Sequence, residues 1–233
     1  MSTPYILHYA PDNASLIIRL ALEELGVAYR TRLVDRRVSE QSSTAYRALN
    51  PAGRIPTLET PDGPISETGA ILLWLSDRHG RLLPVVDAPD RAAALNWLFF
   101  VSNTLHADVA KLFYVHRYGP PDCHSAMSAA LRARISEHLA VLDQDAVTRL
   151  PLWFGGENPS ALDIYVAAIL RWLQLYPASG RGWLNISTYP KLAAICAGLE
   201  TRDSVAELCK AEGMAPHPFT KPDYPNPPEG SSL

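Results

Sequence analysis

The sequence predicts a small α/β domain followed by an all-helical domain. Three observations carry this reading. Short strand-like runs alternate with helix-like patterns from Tyr5 to His79, strand signals largely vanish from Asp90 onward, and an aperiodic stretch, Leu82 to Pro89, separates the two regimes. The expected boundaries are 1–82 for the α/β domain, 83–89 for a linker, 90–213 for the helical domain and 214–233 for a proline-rich tail.

Tyr5 to Tyr9 is a run of aromatic and branched apolar residues, ended by the turn-formers Pro11-Asp12-Asn13. Ser15 is placed to cap a helix whose Leu16, Leu20 and Leu25 recur near helical spacing, and Gly26 is placed to end it. Val27 to Val34 alternates loosely as a second strand, Ser39 to Leu49 is weakly helical, and Asn50-Pro51-Ala52-Gly53 reads as a loop. Thr57 to Thr60 and Pro64 to Ser66 flank Pro61-Asp62-Gly63, a hairpin turn. A third helix is expected from about Glu67 to Arg78, burying Ile71, Leu72 and Leu75.

Asp90 to Tyr118 reads as one long helix, with Leu95, Leu98, Leu105, Val109 and Leu112 on one side. Leu131, Ile135, Leu139 and Leu142 mark the next. Ser160 to Tyr176 is apolar nearly all round, which predicts a helix at the centre of a bundle, opened by Ser160-Ala161-Leu162-Asp163 as a capping box. Two shorter helices are expected near Tyr189 to Leu199 and Arg202 to Ala211. From Met214 the chain holds six of its 20 prolines, too many for regular structure, and the segment is expected either to hang loose or to wrap over the helical domain.

Composition narrows the function. Lys and Arg total 21 against 24 for Asp and Glu, a net charge of −3 with no basic field for a nucleic-acid backbone. No segment is apolar over the ~18 residues a membrane-spanning helix needs, and Met1-Ser2-Thr3-Pro4-Tyr5 does not open a signal sequence. Three cysteines, Cys123, Cys196 and Cys209, cannot all pair and have neither C-x-x-C nor metal-ligand spacing. A cytoplasmic protein without a metal, a nucleic-acid partner or a membrane is expected.

Four places could carry chemistry. Ile55-Pro56 lies between a glycine loop and a strand, where a proline removes a ladder bond; it is either an ordinary trans loop proline or a cis turn that presents the backbone of Ile55 to a ligand. Ser66-Glu67-Thr68 opens the third helix, as a plain cap or as a site where helix N–H groups take a carboxylate and an acid takes the ammonium of an amino-acid head. Tyr9, Asp12, Asn13 and Ser15 surround the start of the first helix, where a hydroxyl donor would lower a thiol pKa from about 8.5. His106, beside Asn103 and within helical reach of Phe99 and Phe113, either packs or lines a cleft.

In combination these features resemble the cytosolic glutathione transferases, over about residues 4 to 211. Asn50-Pro51-Ala52-Gly53-Arg54-Ile55-Pro56-Thr57-Leu58 is similar to the family's N-P-x-G-x-[VI]-P-x-L segment, and Glu67-Thr68 to its E-[ST] pair. The first turn, Tyr9-Ala10-Pro11-Asp12-Asn13-Ala14-Ser15-Leu16, resembles Y-S-P-G-A-C-S-L of the bacterial beta class, but that class's cysteine falls on Ala14, and no cysteine lies in the first 122 residues. Mixed-disulfide chemistry from that position is excluded.

The resemblance implies a thioredoxin-like first domain, an all-helical second domain and a homodimer that conjugates glutathione to small hydrophobic electrophiles, a detoxification role. It implies that Pro56 is cis, that Ile55 pairs with the glutathione backbone, that Glu67 and Thr68 hold the γ-glutamyl head, and that Arg54 lies near the glycyl carboxylate, with Asn103 a further contact. Ser15 is the first candidate donor to the sulfur, Tyr9 the second, and Asn13 a third through its amide; an ionised Asp12 would oppose a thiolate. His106 is placed toward the acceptor, against Phe99, Phe113 and Tyr114. Glutathione-dependent isomerisation or peroxide reduction, and a non-catalytic binding role, are the alternatives.

Overall fold

The computed structural model describes residues 5–150 and 152–231. Its first domain is a four-stranded sheet in the order β2-β1-β3-β4. The strands are β1 (Tyr5–Tyr9), β2 (Tyr29–Leu33), β3 (Thr57–Thr60) and β4 (Gly63–Ser66). β2 runs parallel to β1, while β3 and β4 form an antiparallel hairpin, so only the first connection needs a crossover helix. That helix is α1 (Ser15–Leu25), ended by Gly26 at φ +66, where a Cβ would be strained. The short α2 (Thr44–Leu49) and the longer α3 (Thr68–His79) complete the domain.

The second domain contains α4 (Arg91–Phe99), α5 (His106–Phe113), α6 (His124–Val141), the single turn α7 (Val147–Arg149), α8 (Ala161–Leu175), α9 (Pro190–Leu199) and α10 (Asp203–Glu212). The expected single helix over 90–118 is not continuous. Its middle, Phe100–Leu105, is a π-helical segment, and the helix ends at Phe113. Ser102, Asn103 and Thr104 are short polar residues in series, and the Ser102 hydroxyl turns to the Asn103 side chain at 3.0 Å; such side chains compete with the backbone ladder and favour its local widening.

α8 is buried along nearly its whole length, and its start is the expected capping box: Ser160 Oγ accepts from Asp163 N, and Asp163 Oδ2 accepts from Ser160 N. One continuous apolar core joins the domains, with α1 packed against α8. None of the helices among the described residues is long and apolar enough to cross a membrane.

Beyond Gly213 the described residues form no helix or strand, in keeping with the prolines there, yet the segment is docked. Phe219 is fully buried, and Glu200 accepts bonds from the Phe219 and Thr220 amides at 2.8 and 2.7 Å. The segment then recrosses to the first domain, where the Tyr9 hydroxyl donates to Glu229.

Candidate active site

The loop from Asn50 to Thr57 is fixed by its own polar groups. Asn50 Nδ2 and Tyr46 Oη both donate to the Arg54 carbonyl, each at 2.7 Å, and Tyr46 also meets Thr57 Oγ1 at 3.0 Å. Gly53 sits at φ +62, and a Cβ there would fall 2.9 Å from the Gln41 carbonyl, so the glycine of the motif is required. The Ile55–Pro56 peptide is cis; Ile55 is half-buried and Arg54 exposed.

At the start of α3, Glu67 occupies φ +69, ψ +117, a region a non-glycine residue rarely adopts. Its side chain makes no capping bond and is exposed, whereas Thr68 is buried. The plain-cap alternative therefore fails for Glu67, and strained backbone of this kind is characteristic of ligand sites. Gly69 lets the helical domain approach: a Cβ there would stand 3.3 Å from Ser102. Tyr165 of α8 lies beside Glu67 and Thr68 and meets His106 Nδ1 at 2.9 Å; burial pushes its phenol pKa up.

The turn before α1 is consumed by internal bonds. Ser15 is fully buried; its hydroxyl donates to the Ala10 carbonyl at 3.0 Å and accepts from Ala10 N, instead of capping the helix. Ser15, the first candidate donor, thus has no exposed surface and spends its hydroxyl within the turn. Tyr9 is also buried, donates to Glu229 and has the Arg19 guanidinium over its ring at 4.6 Å. Burial first, then the Glu229 carboxylate, raises its pKa, so the phenol keeps its proton.

Asp12 does not face the site as a free charge, which corrects the expectation that it opposes a thiolate. Its Oδ1 accepts from Arg171 Nε at 2.8 Å and Trp172 Nε1 at 3.0 Å, and its Oδ2 from Arg171 at 3.0 Å and Tyr176 Oη at 2.8 Å. The Asp12 amide donates to Glu212, which pairs with Arg19 at 2.9 Å. Asn13 is half-buried; its Oδ1 accepts from the Ala14 amide at 2.9 Å, and its Nδ2 makes no bond among the described residues. It thus retains a donor at the positive end of α1.

His106 packs edge-on to Tyr165 and tilted against Trp172, and burial lowers its pKa to about 4, so it is neutral near pH 7. Phe113 meets Tyr176 at 6.0 Å between centroids, and Tyr176 meets Tyr224 of the tail at 5.7 Å, giving an aromatic wall beside Asp12. Tyr114 is tied to Arg36 at 3.3 Å, whereas Phe99 is 49% exposed and Asn103 faces solvent.

Tyr165, Arg171, Trp172 and Tyr176 were not singled out from sequence. Arg171 had a signal: a cation inside an otherwise apolar helix must find a buried partner. Nothing in the sequence named Asp12 as that partner.

Residues 14–78 match the glutathione S-transferase N-terminal domain and residues 125–198 the C-terminal domain of the same family. Similarity extends over nearly the whole chain. The glutathione S-transferase GstA of Escherichia coli O157:H7 is 26% identical over 89% of this chain and 98% of its own. The disulfide-bond oxidoreductase YfcG of Escherichia coli K12 is 29% identical over 88% and 95%. A glutathione transferase of Burkholderia graminis, solved with two glutathione molecules per subunit, superposes with a TM-score of 0.75 at 26% identity, over 89% of this chain and 88% of that one. The chain belongs to the glutathione S-transferase family. It is a glutathione transferase with a thioredoxin-like first domain and a helical second domain.

Proposed function

We propose that this transferase activates glutathione through the Asn13 amide and the N-terminus of α1, and adds the thiolate to small hydrophobic electrophiles. The observation that carries the reading is the contrast between donors: Ser15 and Tyr9 spend their hydroxyls on Ala10 and Glu229, and Asn13 Nδ2 is unspent among the described residues. Helix-terminal N–H groups and one neutral donor stabilise a thiolate without supplying a proton that would quench it. Asp12 does not oppose this, because Arg171 balances its charge.

Glutathione is held on the opposite wall. Ile55 pairs with its backbone, the exposed Glu67 carboxylate takes the γ-glutamyl ammonium, Thr68 and the start of α3 take the α-carboxylate, and Arg54 reaches the glycyl end. The electrophile sits against Phe113 and Tyr176, with neutral His106 behind. The exposed Phe99 suits a homodimer contact better than the acceptor pocket, and a cytoplasmic, detoxifying enzyme remains our reading.

The test is conjugation of an aryl halide by Asn13→Ala, Ser15→Ala and Tyr9→Phe. Loss confined to Asn13→Ala supports the assignment, and full activity in that variant overturns it. Glutathione-dependent redox chemistry is the second reading, favoured by the similarity to a disulfide-bond oxidoreductase. Product analysis with an aryl halide, a peroxide and a small disulfide separates the two.

A further inference from the structure

We propose that Arg171 and Asp12 are a positioning pair that sets the geometry of the thiol-activating turn, and that the segment Pro218 to Asp223 belongs to its support. The proposal rests on the activation reading above and adds residues that touch neither glutathione nor acceptor.

Arg171 is fully buried on α8 and reaches three parts of the chain at once. Nε and one terminal nitrogen fork onto the two oxygens of Asp12. The other terminal nitrogen donates to the Pro218 carbonyl at 3.0 Å, and the first also donates to the Asp223 carbonyl at 3.0 Å. With Trp172 and Tyr176 on the remaining lone pairs, the Asp12 carboxylate holds four bonds from α8 and the residue after it. Both charges are saturated by protein, so neither is available to a ligand.

A pair of well-packed apolar side chains would join the two elements without the desolvation cost of two buried ions. The fork supplies direction, since a planar guanidinium and a carboxylate meet bidentately in few orientations. Direction is what Asp12 needs: it sits at φ +50, and this torsion sets where the next residue, Asn13, and the start of α1 point. The segment beyond Gly213 closes the other side of the guanidinium. It is itself fixed by the bond from Gln174 to the Phe219 carbonyl at 2.8 Å and by Tyr224 Oη on the Leu175 carbonyl at 3.0 Å.

The test is the double variant Asp12→Gly with Arg171→Leu, which removes both charges together and places glycine where φ is positive. The readouts are thermal melting, calorimetric glutathione affinity, kcat and KM with an aryl halide, and the pH titration of bound thiolate by ultraviolet absorbance. We expect a folded protein, glutathione affinity within about threefold of wild type, kcat lower by about tenfold and the thiolate titration moved to higher pH, as a misaimed donor requires. A purely structural role would lower the melting temperature and leave kcat and the titration unchanged in the folded fraction, which overturns the proposal.

Should the double variant not fold, Trp172→Phe removes one of the four bonds, the one from Trp172 Nε1, from a side chain outside the acceptor wall. It is expected to lower kcat about twofold to threefold with KM for glutathione unchanged, and a kcat equal to wild type overturns the proposal. A wild-type protein that binds no glutathione overturns the transferase reading and the pair's role together. A wild type that conjugates beside a variant that matches it overturns the pair's role alone.

Discussion

At the start of α3, Glu67 projects an exposed carboxylate with no capping bond; at the start of α1, Tyr9, Asp12 and Ser15 are buried with their polar groups bonded to the protein. Both are helix N-termini of the first domain, and they are built oppositely. A wall that binds the ends of a peptide must keep side-chain valences open. A wall that aims one amide and a helix terminus at a sulfur does better with every neighbouring polar group already satisfied, so that none relaxes toward the ligand.

The largest effect expected is on the saturated wall. Asn13→Ala should lower kcat about 10²-fold while the melting temperature barely moves; equal kcat would erase the distinction between the walls. On the open wall, Glu67→Gln should weaken glutathione binding about 30-fold by calorimetry, as loss of a charge-assisted bond predicts, with kcat at saturation little changed. Ser15→Ala inverts that pattern. It leaves the buried Ala10 amide and carbonyl short of a partner, so stability should fall by about 1–2 kcal/mol in denaturant titration with the thiolate titration unmoved.

The effect expected at His106 lies in stability and leaves the rate untouched. Burial holds its pKa near 4, against 6.5 in the unfolded chain, so between those values the unfolded state binds more protons. Stability should therefore fall as pH drops from about 6.5 to about 4, and His106→Gln should flatten that limb in melts. The rate profile between pH 5 and 8 should show no inflection that this substitution removes.

The order of strands and helices was legible because each element carries its own period, and the α8 capping box because four adjacent residues make it. The loop at residues 50–57 was legible for a similar reason: Asn50 bonds the Ala52 amide and the Arg54 carbonyl within one short stretch, and Gly53 supplies its positive φ. The break in the long helix was not, since Leu98, Leu105 and Leu112 keep a near-helical spacing straight through the π segment. Nor was the state of the first turn. Whether Ser15 faces a ligand or its own turn depends on χ1, and whether Asp12 is a free charge depends on an arginine 159 positions away. Composition described the tail correctly as irregular but could not say that it is docked, because its fixing bonds go to Glu200, Gln174 and Arg171 on other elements.

The tie between Tyr9 and Glu229 spans 220 residues, and that between Asp12 and Arg171 spans 159. In folding terms these are among the contacts of highest order in the chain, and their loop-closure entropy must be met before they return any energy. The cores of the two domains can form from shorter-range contacts. The turn before α1 takes its final shape only when those cores have docked and the tail has returned, so native secondary structure is expected to recover ahead of transferase activity during refolding.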